Sequence, residues 1–382
     1  MRAQFLTAMC VFTGVGCDFP RPPDVPTDAA DASTAADASK VADGPTACVV
    51  GFLDVCDEAP PTDAFVVTAD IAINTDGDSR CRARVIDGAP ICLVYVTDFQ
   101  VAQGTTLTAT GNSALAVVST GGASIGGTVD ASSYRNLAQL GAGPAACVFR
   151  GRGSDDLSGG GGGAGGSFFG VGGVGGTGDA NDNGSGKAEG APPADVITTL
   201  TSLRGGCAGT PGGTGSQAGG TSGAGGGAVY IASRQMIAVS GIIRATGAGG
   251  GGGGVQGGGG GGGSGGAIVL EAPVIMLTST GKISANGGGG GEGGGAAVAQ
   301  PGGDGNIEAI PALGGASVGG SPDSNGGDGG SGSAGATAAG SGGVDDNAGA
   351  GGGGGGAGIV WVRSPIRELR AGAISPPPVT RE

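Results

Sequence analysis

The chain has 382 residues, of which 95 are glycine and only 3% are aromatic, and its formal net charge is −14. Glycine adds no side chain to a core and loses the most backbone freedom on folding, so large conventional cores are excluded and ordered parts must be concentrated in short Val-, Ile- and Leu-rich segments. The acidic balance repels nucleic-acid phosphates, and we expect no nucleic-acid partner.

Residues 1–16 are predicted to be a signal peptide, because Arg2 precedes an apolar stretch that is too short to span a bilayer. The context of Cys17 resembles a bacterial lipoprotein signal, which predicts a lipid on Cys17. A plain secretory leader cut nearby, or cleavage before Cys10, are the alternatives. Residues 17–44, rich in Ala, Asp and Pro, are predicted to be a disordered tether. We therefore expect an exported protein that is anchored by lipid at the cell envelope or cell surface, or otherwise secreted.

Six further cysteines form an even set, which in an exported chain predicts three disulfides. They are Cys48, Cys56, Cys81, Cys92, Cys147 and Cys207. Several pairings are possible, and short loops favour Cys48 with Cys56 and Cys81 with Cys92, which leaves Cys147 for Cys207. Residues 45–95 are predicted to form a cysteine-rich N-terminal cap that includes the first strands.

Repeats dominate the centre of the chain. The segment 226–231 recurs as 265–270, an upstream copy aligns Leu115 with Val229, and a partial copy at 358–365 follows 266–273 position by position. Each copy is an apolar alternation between glycine runs, which predicts one strand of a stacked sheet. The sequence therefore predicts an all-β fold, a parallel β-helix (β-solenoid) over residues 96–365.

Period-two alternation assigns the side chains of the repeats to two faces of the predicted sheet. Val229 and Ile231, with their equivalents in the other copies, are expected in the interior, and Tyr230 and its equivalents on the opposite face. Pro365 and the prolines at 376–378 are expected to stop strand addition. Residues 366–382 are accordingly predicted to be a Pro-rich tail outside the solenoid.

Glycine tracts insert at equivalent points between the copies. They span 159–178, 205–227, 247–266, 287–303 and 314–358. In 168–177 the non-glycine residues recur every three positions, which is the turn of a polyproline-II-type helix. Two interpretations stay open, a polyglycine-II bundle and flexible surface loops.

The absence of histidine excludes Ser-His-Asp triads, Cys-His pairs and His-based zinc sites. Oxidised cysteines would also be unable to act as thiolates. We therefore predict a protein that is not an enzyme, with no catalytic residue and no cofactor. Arg234 and Arg244 on the rung faces keep one alternative open, a polysaccharide-active β-helix enzyme with an arginine base.

One oxygen-rich turn matches the start of a calcium loop. Asp179, Asn181 and Asn183 occupy the alternate ligand positions before Gly184, but Glu189 falls one residue short of the closing position. The alternative is a solvated turn, so calcium is carried only as a weak metal prediction.

The leader with its Asp/Ala tether, Thr105-Thr106-Leu107-Thr108, residues 127–131 and the rung at 265–273 resemble the glycine-rich β-solenoid surface lipoproteins of bacteria. The rungs are similar to those of filamentous-haemagglutinin-type adhesins, and the composition alone is similar to that of the mycobacterial PE-PGRS proteins. The resemblance implies a non-enzymatic surface protein with a structural or adhesive role, whose partners are the membrane and an extracellular glycan or envelope protein. The alternative is a ligand-binding module for calcium, ice or glycan.

Overall fold

The structure is a computed structural model that describes residues 52–136, 140–143, 147, 150–182, 186–317, 326–370 and 372–381. These residues contain nineteen strands in three sheets and no helix. Sheet 1 contains, in spatial order, β1 (Phe65–Val67), β5 (Phe99–Val101), β8 (Ala123–Ile125), β11 (Met236–Val239), β14 (Val274–Leu277) and β17 (Ile366–Glu368). Sheet 2 contains β2 (Ile71–Asn74), β6 (Thr106–Thr110), β9 (Thr128–Asp130), β12 (Ile242–Arg244), β15 (Lys282–Ser284) and β18 (Ile374–Ser375). Sheet 3 contains β3 (Arg82–Ile86), β4 (Ala89–Val96), β7 (Ala114–Ser119), β10 (Ala228–Ser233), β13 (Ala267–Glu271), β16 (Ile359–Arg363) and β19 (Val379–Arg381).

Successive turns of the chain add one strand to each sheet. From β4 onward the chain visits sheet 3, then sheet 1, then sheet 2, and repeats this order with the next strand of each sheet. Neighbouring strands are parallel throughout, except that β3 pairs with β4 in the antiparallel direction. The described chain is therefore all-β with stacked parallel sheets, an arrangement compatible with the predicted β-helix.

The strand register follows the alignment of the repeats. Val229 pairs with Leu115 on one side and with Ile268 on the other, and Ile268 pairs in turn with Val360. The prediction that these apolar positions lie above one another is confirmed. Equivalent residues of successive turns form the columns that fill the interior.

The interior is a continuous apolar column between the three sheets. Val229, Ile231 and their equivalents are fully buried there together with inward residues of sheets 1 and 2, such as Ile237 and Ile243. At the N-terminal end the rings of Phe65 and Phe99 stack with centroids 5.6 Å apart. Because each turn contributes only a few side chains, the core exists only through stacking.

The outer face of sheet 3 is also buried. Tyr230 and Val269 lie there in a second apolar cluster, covered by Leu53 from the N-terminal side and by Phe168 and Leu203 from the first long insertion. The predicted second face of the repeats is therefore not a solvated surface. Within the described residues, sheet 3 therefore packs against apolar side chains on both of its faces.

The predicted Pro-rich tail is wrong as a boundary, because the sheets continue beyond residue 365. Strands β17, β18 and β19 pair with β14, β15 and β16, and Ile374 is 5% exposed within the interior column. The prolines at 376–378 lie between β18 and β19, where they interrupt no ladder hydrogen bond. Proline stops a strand only where it occupies the paired segment itself.

Three long insertions leave the sheets at the same place. They follow β9, β12 and β15 of sheet 2, span 131–227, 245–266 and 285–358, and return to sheet 3 as β10, β13 and β16. Each is closed at its base by one equivalent hydrogen bond. The pairs are Gly227 N to Ala131 O, Gly266 N to Ala245 O and Gly358 N to Ala285 O. The glycine tracts therefore gather on one side of the sheets.

We call the described parts of these tracts (159–178, 205–227, 247–266, 287–303 and 326–358) the glycine layer. Its segments are joined by main-chain hydrogen bonds that recur every third residue. The amides of segment 257–266 donate over 2.8 to 3.0 Å to three other segments in turn, in the pairs Gly258 to Gly213, Gly259 to Ala350, Gly260 to Gly251, Gly261 to Thr210, Gly262 to Gly353 and Gly263 to Ala248. Its carbonyls accept from three more segments, in the pairs Gly220 to Gly258, Gly163 to Gly259 and Gly291 to Gly260.

Candidate functional site

Several residues predicted from sequence lie outside the described part of the chain. They are Cys17, the predicted lipid site, Cys48, the predicted partner of Cys56, and Asn183 of the calcium turn. The predicted signal peptide and tether lie outside it as well. These assignments therefore stay predictions.

Two disulfides lie in the described structure, and both join the cysteines that the loop-length argument pairs. Cys81 is joined to Cys92, and Cys147 to Cys207. The first ties the segment before β3 to β4, beside the antiparallel hairpin. The second closes a loop of 60 residues and connects the start of the first insertion to the glycine layer.

Two of the three residues of the predicted calcium turn, Asp179 and Asn181, lie in the described part of the chain and differ in exposure. Asp179 is fully buried at the edge of the glycine layer, whereas Asn181 is exposed. The Asp179 amide donates to the carbonyl of Ala348, and its carbonyl accepts from the amide of Asp182. Within the described ranges no group of three or more Asp, Glu or Cys residues is placed to hold a metal ion.

The two arginines of the enzyme alternative lie on different sheets. Arg234 directly follows β10 of sheet 3, whereas Arg244 belongs to β12 of sheet 2. The Arg244 guanidinium forms an ion pair of 2.8 Å with Asp130, which is 3% exposed, and lies over the ring of Tyr134. The Tyr134 hydroxyl donates to the same carboxylate over 2.9 Å, and burial together with the Asp130 charge raises the pKa of Tyr134. Asp130 thus has two side-chain donors, an arrangement that fixes the loop after β9.

A similar group of polar side chains crosses the outer face of sheet 3. Glu271 accepts a hydrogen bond from the Tyr230 hydroxyl at 2.9 Å and one from the Phe52 amide at 3.0 Å, and forms an ion pair with Arg363. Burial, and then the charge of Glu271, raise the pKa of Tyr230. The group joins the N-terminal covering segment to three successive strands of sheet 3, β10, β13 and β16.

A cleft of about 940 Å³ lies between the first strands of sheet 2 and the glycine layer. Its floor is formed by outward-facing residues of β2 and β6, namely Ala72, Asn74, Thr108 and Thr110. Asp76 and Asn112 form part of its wall, and glycine-rich backbone near Gly143 and Gly225 forms another part. The volume is within the range of small-molecule binding sites, ~300–1,000 Å³.

Hydrogen bonds within the wall hold its polar side chains in place. Asp76 accepts from the main-chain amide of Asn112 at 2.8 Å and from its side-chain amide at 2.9 Å. The side-chain oxygen Oδ1 of Asn74 in turn accepts from the Asp76 main-chain amide at 3.1 Å. The hydroxyls of Thr108 and Thr110, by contrast, make no hydrogen bond to any described residue, so both point to the cleft with their donors and acceptors unused.

Sequence reasoning missed this cleft because its lining comes from segments that are far apart in the chain. Residues 72–76, 108–112, 141–143 and 206–226 meet only after the first insertion folds back on sheet 2. The sequence signal that could have found it is the alternation Thr106, Thr108, Thr110, which predicts an outward row of hydroxyls on one strand.

Comparisons with protein-family models, with curated proteins and with solved structures found no match to this chain. In the described ranges, no helix is long and apolar enough to cross a bilayer. Any functional assignment therefore depends on the chemistry and geometry of the chain itself.

Proposed function

We propose that this chain is a non-enzymatic surface protein of the cell envelope with a structural or adhesive role. The observation that carries the proposal is the hydrogen bonding of the glycine layer, in which backbone is packed against backbone around segment 257–266. Such packing gives a rigid structure that contains few chemically reactive side chains. A rigid structure of this kind fits a structural or adhesive role better than it fits catalysis.

The three-residue period and the six surrounding segments are the features of a polyglycine-II bundle. The central segment 257–266 donates to three neighbours and accepts from three others, so its main-chain groups are satisfied without a sheet. A polyglycine-II bundle stacked on a β-helix is therefore the architecture we propose in detail. It makes the glycine tracts ordered parts of the fold instead of flexible surface loops.

We further propose that residues 45–95 form a disulfide-stabilised N-terminal cap. The antiparallel β3 occupies the edge of sheet 3 and carries Arg82 and Arg84, which form ion pairs with Glu58. The disulfide between Cys81 and Cys92 lies beside the same hairpin. A covered edge prevents further strands from adding to the sheet.

Surface display tests the proposal directly. Antibodies against the purified protein should label intact cells of the source organism, and protease added to intact cells should remove that label. Labelling that requires permeabilised cells would contradict a surface role. In parallel, the purified protein should release no sugar from a panel of polysaccharides, and measurable cleavage would contradict the non-enzymatic part.

The proposed anchor needs its own test. Metabolic labelling with a fatty acid should mark the wild-type chain and leave Cys17→Ser unlabelled. Each buried methylene of an acyl chain adds about 0.8 kcal/mol of membrane affinity, so loss of the lipid should release the variant from the membrane fraction. If the Cys17→Ser variant is still labelled, the lipid is attached at another residue. If the wild type is not labelled, the protein carries no lipid anchor, and the alternative of a secreted protein is favoured.

A further inference from the structure

We propose that the cleft between sheet 2 and the glycine layer binds a short uncharged oligosaccharide. This inference rests on the proposed function, because it names the ligand through which an adhesive surface protein would make contact. It concerns the floor residues Thr108 and Thr110 and the wall residues Asn74, Asp76 and Asn112. Residues of both the β-helix and the glycine layer line the cleft, so the site exists only when the two pack together.

The spacing of the polar groups on the floor suits a chain of sugars. Thr108 and Thr110 lie two positions apart on the same face of β6, roughly 6.5–7 Å along the strand. Asn74 lies on the adjacent strand β2 and pairs with Thr110, at the usual strand separation of about 4.8 Å. Hydroxyl and amide groups both donate and accept, which matches the dense hydroxyls of a carbohydrate.

Hydrogen bonds within the wall orient its polar side chains in the absence of a ligand. Two hydrogen bonds from Asn112 to Asp76 orient the Asn112 side chain and leave its amide oxygen available to accept. The Asn74 side chain is likewise oriented by the Asp76 amide and keeps its NH₂ group available to donate. Groups that are already fixed lose little conformational freedom on binding, which favours affinity.

The charges around the cleft favour an uncharged ligand. Asp76 is the one ionisable group among the described lining residues, and the whole chain carries a net charge of −14. A uronic acid or a sulfated sugar would meet a like charge with no lysine or arginine among those residues to offset it. Neutral hexose chains make the same hydrogen bonds without that repulsion.

The test measures binding of purified full-length protein to neutral hexose oligosaccharides of two to six units, namely glucans, mannans and galactans, and to acidic oligosaccharides of the same length. We expect at least one neutral series to bind and the acidic series to bind at least about tenfold more weakly. The double variant Thr108→Val with Thr110→Val keeps the β-branched shape and removes two hydroxyls, so its affinity should fall at least about tenfold. Thr106→Val is the matched control, since Thr106 lies on the same face of β6 but outside the cleft.

Three results would overturn the assignment. They are the failure of every neutral series to bind, equal or tighter binding of the acidic series, and unchanged affinity in the double threonine variant. Circular dichroism and thermal unfolding of each variant should match the wild type, which checks that a loss of binding does not come from a loss of the fold. If the protein binds no oligosaccharide, antibody labelling of intact cells can still show that it is displayed at the surface. If the protein is not at the surface, that antibody labelling fails, while oligosaccharide binding by the purified protein is unchanged.

Discussion

At the scale of single residues, the glycines of segment 257–266 are required by lack of space. A Cβ built on Gly261 would lie 1.8 Å from the carbonyl oxygen of Ala164, and one built on Gly258 would lie 2.0 Å from that of Gly161. Such contacts are with backbone, which cannot rotate out of the way. Since other segments of the chain surround this one, a Cβ on any of the glycines 257–263 would meet the backbone of a neighbouring segment.

Replacing Gly261 by Ala should therefore destabilise the protein. Overpacking a tight interior costs about 1–3 kcal/mol, and we expect a loss of at least about 2 kcal/mol in the free energy of unfolding. The measurement is denaturant unfolding of the variant and the wild type. Gly77→Ala is the matched control, because no atom lies within 4 Å of its Cβ position, and it should be neutral or slightly stabilising. Equal stability of the two variants would contradict tight packing in the glycine layer.

Glu58 is the acidic partner of both arginines of β3 at the N-terminal hairpin. The hydrogen bond from Arg82 lowers the pKa of Glu58 from its ordinary value of 4.5, and Arg84 adds to this shift while partial burial opposes it. A lowered pKa in the folded state means that the ionised group stabilises the fold above the unfolded value. That stabilisation is lost as the pH falls below 4.5 through the pKa of the folded state.

Glu58→Gln should thus be less stable than the wild type at pH 7, and the difference should shrink as the pH falls from 4.5 toward 3. Urea unfolding across this range measures it, with Asp57→Asn as the control. Asp57 is an exposed neighbour that forms no ion pair with a described residue. A difference between wild type and Glu58→Gln that stays constant with pH would contradict the role given to the ionised carboxylate.

At the scale of strands, much of the fold is readable from sequence. Aligning the repeats places Val229 against both Leu115 and Ile268, and these are the partners in sheet 3. Period two also separates Ile231, which faces the interior, from Tyr230, which faces outward. Repetition makes this possible, because stacking equivalent rungs in register is what lets a repeat bury its apolar face.

Other features have no such repeat and could not be predicted. The cover over sheet 3 comes from Leu53, Phe168 and Leu203, three segments with no common spacing. Strand β17 was missed because Pro365 precedes it, and β19 because it follows three prolines. The cleft depends on where the first insertion folds back on sheet 2, a long-range contact that no local pattern encodes.

The C-terminal strands give a test at this scale. Ile374 of β18 is 5% exposed inside the interior column, whereas Ile366 of β17 is 58% exposed. Truncating a buried isoleucine costs about 2–5 kcal/mol, so Ile374→Ala should lower the free energy of unfolding by about 2 kcal/mol or more. Ile366→Ala, an exposed position, should change it by less than about 0.5 kcal/mol. If denaturant unfolding showed equally small changes for both variants, Ile374 would not be part of the packed interior, and residues 366–382 would be a tail outside the sheets.

At the scale of the whole molecule, one disulfide lies within the first long insertion and the other beside the N-terminal hairpin of sheet 3. The bridge between Cys147 and Cys207 closes a loop of 60 residues, and the bridge between Cys81 and Cys92 closes one of 11. Hydrogen bonds at the base of each insertion keep the path of the rungs continuous. The glycine layer can therefore be long without separating consecutive strands of the sheets.

Removing the longer bridge should cost more than removing the shorter one. In the chain-entropy model the two loops are worth about 4 and about 3 kcal/mol, because a longer loop restricts the unfolded chain more. We expect the double variant Cys147→Ser with Cys207→Ser to unfold at lower denaturant than Cys81→Ser with Cys92→Ser. The reverse order would show that the hairpin bridge supports native packing beyond its loop length.

The order of the glycine layer as a whole can be tested by hydrogen exchange. If its amides are paired every third residue and shielded by neighbouring segments, glycine amides of 257–266 should exchange only when the layer opens. A sample labelled with ¹⁵N in glycine should then show, by NMR in D₂O, a large set of signals that persists for hours. Residues 296–298 form an exposed turn, and if their amides are also labelled with ¹⁵N, the signals of these amides should disappear at once. Flexible surface loops would instead lose the signals of every glycine tract within minutes.

Repeating the measurement on Gly261→Ala tests whether the protection of the glycine amides comes from packing between the segments of the glycine layer. If it does, the amides of the segments around residue 261 should exchange faster in the variant, while the amides of the sheets should stay protected.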